Sequence, residues 1–274
     1  MIKLLKIEWL KMKGYNAFIL ISSFFVLGVF AINYIVFAFK KNVVDAAVPE
    51  GMLSSTSVFS FPTVWQTTSY FGGMMLLLPG LLLLILITNE FGFRTHRQNI
   101  IDGISRKDFI RTKLMLGAIF ALISTFVIIL AALIFGFLNE GSFSLSGFEN
   151  VGYFFLKALT YNFIAVLISV LVRRTGFAIA VYFIYTVLEN GVSVILYSWA
   201  IKLKKESHLD LGDMGNYLPM NAADGLLYSP FNSITKMGNQ IFPTDILWLV
   251  LVLSIVYIAI FYFFSERRMV KSDL

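Results

Sequence analysis

The sequence predicts an all-α membrane protein with six transmembrane helices. Of its 274 residues, 58% are hydrophobic and only 14% are charged, and the mean hydropathy is +0.80. A soluble domain carries about a quarter charged residues, because its surface faces water. Six separate stretches each approach or exceed the roughly 20 apolar residues that a helix needs to cross a hydrocarbon core. They are apolar on all sides, which excludes the alternating strands of a β-barrel.

An amphipathic helix is predicted at residues 1–13, before the first span. Four apolar residues fall on one stripe at helical spacing, and three lysines lie beside it. The stripe consists of Ile2, Leu5, Trp9 and Met12, and the lysines are Lys3, Lys6 and Lys13. Such a helix suits the inner headgroup region, with tryptophan at the interface and lysines toward anionic lipid. The alternative is that these lysines only orient the first span.

The whole chain, 1–274, is expected to form a single transmembrane domain. Each span must be helical, because lipid cannot satisfy backbone N–H and C=O groups. Pro79-Gly80 should kink or loosen the second span. The predicted spans are residues 16–39, 70–88, 114–138, 151–172, 177–200 and 246–264.

The distribution of Lys and Arg predicts that both termini are cytoplasmic. With the N-terminus inside, the inner segments hold 15 of the 22 basic residues, as the positive-inside rule requires. Lys40-Lys41 and the cluster Lys202 to Lys205 fall on the predicted outer side and are the main local evidence against this orientation. The expected location is a bacterial cytoplasmic (inner) membrane, and the absence of an Asn-x-Ser/Thr sequon is compatible with that source. The net charge of +6 thus has a topological explanation and does not indicate a nucleic-acid partner.

Two of the predicted extracytoplasmic segments are long, residues 40–69 and residues 201–245. The second contains an apolar patch, Leu218 to Ile234, which is interrupted by prolines and a glycine and is too short to span. A re-entrant or surface-lying helix and an ordered loop both remain open for this patch.

The basic loop, residues 89–113, connects the second and third spans and is long enough to hold structure. A helix is predicted over Thr95 to Asp102, with Gly103 as its stop. Ser105 is the predicted N-cap of the next helix, and Asp108 three residues later gives a variant capping box. We therefore expect a helix–turn–helix that continues into the third span and moves as a rigid lever.

The basic loop also contains a spaced set of polar residues, which are Glu90, Thr95, Arg97, Ser105, Arg106 and Lys113. This set, together with the six-span plan and the N-terminal interfacial helix, resembles the ABC-2-type exporter permeases. Two positions depart from the family pattern: Arg94 stands where glycine is usual, and Gly103 lies where proline is common. The resemblance covers the whole chain in architecture but, in residues, mainly this loop.

The resemblance implies the permease subunit of an ATP-driven ABC exporter, which forms the translocation path. Such permeases pair with a second permease subunit, as a homodimer or heterodimer, in the lipid bilayer. The helix in the basic loop would be the coupling helix, seated in a cleft of a separate cytoplasmic ABC ATPase dimer that binds ATP and Mg²⁺. The residues implied in coupling are Glu90, which would hold the loop against the bundle, and Arg94, Thr95, Arg97, Asn99, Asp102 and Arg106. The cargo is expected to be amphiphilic: a peptide, a lipid-like molecule or a drug. The alternative is that the basic residues only orient the chain.

The chain is expected to be non-catalytic, with no cofactor and no metal of its own. It has no cysteine, and no Gly-x-x-x-x-Gly-Lys-Ser/Thr motif that would cradle nucleotide phosphates. The spans contain no paired acids and no nucleophile with a base. His96 and His208 lack metal-ligand spacing and are expected to be surface residues.

One ionisable residue, Glu189, falls midway along the fifth span, where insertion scales give a cost of at least ~2.5 kcal/mol. It is a candidate for the translocation path, together with Asn190, Asn33 and Asn162. The structural alternative is a buried carboxyl group that bonds to a neighbouring polar partner such as Asn33 or Asn162.

Two other functions remain open from the sequence. One is a proton- or ion-coupled secondary transporter that uses Glu189, although no internal repeat of the kind common in such carriers is found. The other is a non-transporting membrane sensor or assembly protein whose long outer segments bind a partner.

Overall fold

The computed structural model describes residues 2–44, 58–139, 142–230 and 246–271. Within these ranges the chain forms helices, turns and irregular connections, and no β-strand. Six helical stretches there are long and apolar enough to cross a membrane. The prediction of an all-α protein with six membrane-spanning helices is thereby confirmed at this level.

The helices are named in chain order. They are α1 (Ile2–Met12), α2 (Asn16–Phe39), α3 (Thr63–Gly73), α4 (Leu77–Gly92), α5 (Thr95–Ile101), α6 (Arg106–Leu138), α7 (Glu149–Val172), α8 (Thr175–Ser207), α9 (Pro219–Asp224) and α10 (Leu247–Lys271). A 3₁₀ turn, Met74–Leu76, joins α3 to α4 into one continuous second span, Thr63–Gly92. The other five spans are α2, α6, α7, α8 and α10.

The second span begins at Thr63, earlier than the predicted residue 70, because its first turns hide their polar side chains. Thr67 Oγ1 donates to the carbonyl of Thr63 at 3.1 Å, and Thr68 Oγ1 donates to that of Val64 at 2.8 Å. Hydroxyl groups bonded in this way are satisfied without water. A buried helix can therefore contain the polar run Thr67, Thr68 and Ser69, although such a run is typical of a loop.

The second span is also interrupted where Pro79 predicts an irregularity. Proline has no N–H to offer the carbonyl of Met75, four residues earlier, and its ring crowds that carbonyl. The 3₁₀ turn at Met74–Leu76 lies at this point, and tighter turns of this kind commonly mark such strain. The irregularity thus lies about one turn before the predicted Pro79-Gly80, and α4 continues through both of these residues.

Helix α7 forms the centre of the bundle. Its most apolar stretch is 67% buried, whereas those of α8 and α10 are 11% and 17% buried. Small residues such as Ala158 and Ala165 are fully buried on α7, where they let neighbouring helices approach closely. The uncovered side chains of α8, such as Val187 and Ile195, are apolar, as contact with lipid tails requires.

Residues 208–230, which we call the returning segment, run back along α8 after that helix ends. Ser193 Oγ bonds to the carbonyl of Gly215 at 3.1 Å, and the backbone N–H of Met220 donates to the Glu189 carboxylate. Glu189 is about 27 Å from the C-terminal end of α8, measured along the helix axis at a rise of 1.5 Å per residue. The described part of the apolar patch thus packs alongside α8, while residues 231–245, and 45–57 of the other long segment, lie outside the described residues.

Enlarging a small residue at the centre of the bundle should be costly. We expect Ala165→Leu to lower the free energy of unfolding in detergent by about 1–3 kcal/mol, the usual cost of overpacking. Ala180→Leu is the matched control, because Ala180 is exposed on α8 and should leave stability within about 0.5 kcal/mol. Equal losses in the two variants would contradict the central position of α7.

Candidate functional site

The basic loop folds as the predicted helix–turn–helix. Arg94 precedes α5 in the left-handed region with φ 60°, and Gly103 follows it with φ 95°. Ser105 then caps α6, since its Oγ accepts the backbone N–H of Asp108 at 3.0 Å and donates to the Asp108 carboxylate at 2.7 Å. The loop is therefore an ordered element that leads directly into the third span.

The expectation that His96 is a surface residue is wrong. Helix α5 turns this side chain toward the bundle, where it is buried against the Phe91 ring at a centroid distance of 4.7 Å. Its Nδ1 lies 3.1 Å from the carbonyl oxygen of Glu90. Burial lowers the pKa of His96 below its ordinary value, and the charges of Arg97 and Arg173 lower it further. His208 is exposed, as expected.

A charge cluster anchors the loop. It consists of the buried residues Glu8, Glu90 and Lys113 and of Lys11, which is exposed at its edge. Lys113 is only 1% exposed, and its Nζ bonds to Glu8 Oε2 at 2.5 Å and to Glu90 Oε1 at 2.7 Å. Lys11 Nζ lies 3.0 Å from Glu8 Oε1 and 3.1 Å from Glu90 Oε1. Three elements, α1, α4 and α6, therefore meet at one set of ionic contacts.

Two carboxylates face two ammonium groups in the charge cluster, so its formal charge is balanced. Burial opposes ionisation of Glu8, but the two lysines more than offset it and lower the pKa of Glu8. Burial likewise opposes protonation of Lys11, and the charges of Glu90 and Glu8 nevertheless raise its pKa. Glu8 and Lys11 are thus held in their charged forms by their neighbours in the cluster.

Glu90 contacts both lysines of the cluster, and the role implied for it by the family resemblance stays a prediction. The second carboxylate of the cluster, Glu8, was not predicted from the sequence. Glu8 is the first acidic residue of the chain and stands three residues before Lys11. Residues three apart lie on the same side of a helix. This spacing was the sequence pattern from which the pairing of Glu8 with Lys11 could have been predicted. The contact between Glu8 and Lys113 joins residues 105 positions apart, so no local sequence pattern predicts it.

Helix α1 lies against the bundle through part of its predicted stripe. Met12 is buried, whereas Trp9 is 53% exposed and meets the ring of Phe18 edge-on at 6.1 Å. The three flanking lysines, Lys3, Lys6 and Lys13, are all exposed. The location of α1 in the headgroup region stays a prediction.

Further bonds tie the ends of the loop to other spans. Asn89 accepts from Thr175 Oγ1 at 3.1 Å and donates to Tyr15 at 3.0 Å. Arg111 makes two bonds to the carboxylate of Glu266, at 3.1 and 3.2 Å. The loop is consequently linked to α8 and α10 as well as to α1.

The outward side of the loop carries what we call the loop surface: Phe93, Arg94, Arg97 and Ile101. Phe93 is 79% exposed and Ile101 is 75% exposed, although both lie outside the six spans. Both arginines are exposed beside them. The exposure of these two apolar residues was not predicted from the sequence. Their position inside a basic, polar loop was the pattern that could have indicated it.

The remaining residues implied in coupling fall into two groups. Thr95 and Asp102 are exposed on the same outward side, with Asp102 Oδ1 accepting from Gln98 at 2.9 Å. Asn99 and Arg106 are half-buried, and Arg106 donates to the carbonyl of Val270 at 3.2 Å. Arg106 therefore contributes to the packing of the loop against α10.

The candidate path residues do not share hydrogen bonds. The partner of Glu189 is neither Asn33 nor Asn162, as the sequence suggested, but the first turn of α9. Asn33 Nδ2 donates to Val29 at 2.9 Å, and Asn162 Nδ2 donates to Gly117 at 2.8 Å. The amide nitrogens of both residues thus donate to backbone carbonyls, whereas their buried Oδ1 atoms have no hydrogen-bond partner among the described residues.

Removing the buried ammonium of the charge cluster should destabilise the protein. Lys113→Met leaves two buried carboxylates opposite one lysine, and we expect a loss of about 3–5 kcal/mol in the free energy of unfolding in detergent. Lys107→Met is the control, because Lys107 is exposed nearby. Adding Glu8→Gln to Lys113→Met should recover part of the loss. Equal stability of both single variants would contradict the anchoring role.

The left-handed backbone of Arg94 gives a second prediction. Glycine at this position relieves about 1–2 kcal/mol of left-handed strain and costs about 0.5–1 kcal/mol in chain entropy. Arg94→Gly should therefore keep or slightly raise the unfolding midpoint, whereas the β-branched Arg94→Val should lower it. A lower midpoint for glycine than for valine would refute this account.

No protein-family model matches this chain, and no curated protein matches it. The geometry of the loop indicates its role. That geometry is an ordered loop between two spans, which is anchored by the charge cluster and presents an exposed apolar and basic surface.

Proposed function

We propose that this chain is the permease subunit of an ATP-driven ABC exporter and that it couples to a separate cytoplasmic ATPase through the basic loop. The observation that carries the proposal is the loop surface. Two large apolar side chains stand almost fully exposed there, next to two arginines and away from the lipid-spanning stretches. Aromatic, aliphatic and arginine side chains in such a patch are typical of a protein interface.

The anchoring of the loop supports a mechanical role. A partner that pushes on Phe93 or Ile101 pushes on α5, whose inward side is packed on Phe91 through His96. Glu90 and Lys113 then connect the two ends of the loop to α1 across buried ionic contacts. A displacement of the loop is thus shared by the second span, the third span and the N-terminal helix, instead of being lost in a mobile connection.

The choice of an ATPase as partner is made on the family resemblance. The chain has no P-loop motif of its own, so ATP and Mg²⁺ would be bound by the partner. In this proposal the loop lies in the cytoplasm, both termini are cytoplasmic, and the chain resides in a bacterial inner membrane. A second permease subunit completes the translocation path, and the cargo is amphiphilic.

The structural role of Glu189 favours this proposal over the ion-coupled carrier. Its Oε1 accepts the backbone N–H groups of Met220 and Asn221 at 2.5 and 2.9 Å. Through this oxygen the carboxylate stabilises a helix start, which is a structural role that needs no transported ion. A carrier would instead require transport that follows the proton gradient and is lost in Glu189→Gln.

Charge and polarity changes on the loop surface should disrupt association with the ATPase without affecting the folding of the chain. We expect Arg97→Glu combined with Ile101→Asp to lower ATPase recovery at least tenfold while membrane insertion and the unfolding midpoint stay unchanged, because neither side chain is buried. Lys6→Glu combined with Ile7→Asp is the matched control, since it makes the same charge change at exposed positions on α1. Recovery that survives in the double variant would exclude the loop surface as the coupling site.

The partner itself is identified by purifying the wild-type chain from its native host in mild detergent, followed by mass spectrometry. A P-loop ATPase recovered in equal amount supports the proposal and supplies the motor for a transport assay. A folded chain that repeatedly retains other partners but no ATPase would refute it and favour a sensor or assembly protein.

A further inference from the structure

A polar cavity of 530 Å³ lies between the second, fourth and fifth spans and the returning segment. Its volume is within the roughly 300–1,000 Å³ range of small-molecule sites. Polar and aromatic side chains that line it include Tyr70, Lys157, Tyr161, Asn190, Asp213 and Asp224. It is separate from the basic loop, and the proposed coupling function makes no use of it.

The charged groups of the cavity are already organised. Lys157 Nζ lies 3.2 Å from Asp224 Oδ1, and Tyr161 Oη donates to the same carboxylate at 3.0–3.1 Å. Lys157 Nζ also stands 5.7 Å from the centroid of the Tyr161 ring. The only ammonium group among the lining residues is thus neutralised within the wall, and it offers little attraction to an anion.

The formal charge of the lining is negative, because it contains two carboxylates, Asp213 and Asp224, and a single lysine. The Asp213 carboxylate accepts from the backbone N–H of Gly215 and from Asn216 Nδ2, whereas that of Asp224 contacts Lys157 and Tyr161. The Asp224 side chain keeps 27% of its surface exposed, against 10% for Lys157. Tyrosines 70, 161 and 228 also line the cavity, and aromatic faces attract cations. From these features we infer that the cavity binds a small organic cation, with an ammonium group directed to Asp224.

Glu189 positions one wall of this cavity. Its carboxylate accepts the first backbone N–H groups of α9 and the side-chain amide of Asn221 at 3.3 Å. Asn221 and Asp224, both on α9, line the cavity. The buried acid of the fifth span therefore acts through α9 and holds the cation-facing carboxylate in place.

The test is binding of dansylcadaverine, which carries one primary ammonium, to the full-length chain purified in detergent. N-acetyl-dansylcadaverine is the neutral control, dansylglycine is the anionic control, and empty micelles give the background. We expect saturable binding of the amine only, read by fluorescence anisotropy. Equal binding of the neutral probe, or preferential binding of the anionic one, would overturn the inference. The measurement needs no ATPase, so its outcome is independent of the coupling proposal.

Substitutions within the ion pair should shift affinity in opposite directions. Asp224→Asn should weaken amine binding at least tenfold, whereas Lys157→Met should strengthen it at least threefold, because it removes the competing ammonium. Loss of binding in both variants, with folding intact, would contradict the assigned charge preference.

A third variant keeps the inference testable if either ion-pair variant fails to fold. Asn190→Trp should narrow the cavity and weaken binding at least tenfold without touching the ion pair. Val187→Trp on the same helix is its matched control, because Val187 is 69% exposed and does not line the cavity. Unchanged affinity in Asn190→Trp would place the probe elsewhere and refute the site.

Discussion

The arrangement of the loop side of this bundle depends on one buried ammonium group. Lys113 is removed from solvent, and an ion in such surroundings is tolerated only when it is paired and bonded. Its two carboxylate partners come from α1 and from the end of the second span. Neither partner can be withdrawn without leaving an unbalanced charge, so electrostatics fixes the mutual position of elements that hydrophobic packing alone would leave free to slide.

The same physics operates on the opposite side of the bundle in a different form. There the buried acid Glu189 has no lysine beside it among its hydrogen-bond partners, which are the first N–H groups of α9. Those N–H groups have no partner within their own helix, and they carry partial positive charge. One carboxylate thus satisfies an otherwise costly helix start and fixes a segment that has left the fifth span and returned along it.

Local patterns in the sequence account for much of this structure. Apolar runs predicted six spans, and Gly103 and Ser105 predicted the turn and cap of the loop, because propensity and capping act over a few residues. The start of the second span at Thr63 was missed, since hydroxyls bonded to their own helix look polar in a sequence. The burial of His96 and the partners of Glu8 and Glu189 were missed for another reason. They depend on contacts between residues far apart in the chain, which a single sequence does not reveal.

The separation between Glu8 and Lys113 has a consequence for the biosynthesis of the protein. The N-terminal helix leaves the ribosome about a hundred residues before its ionic partner on the third span exists. Until that span has been made, Glu8 lacks its buried partner Lys113, and the ionic contact between α1 and the third span cannot form. Insertion of the third span therefore completes the charge cluster, and a polypeptide truncated before it would lack the Glu8–Lys113 contact and retain only the contacts of α1 with residues up to Glu90.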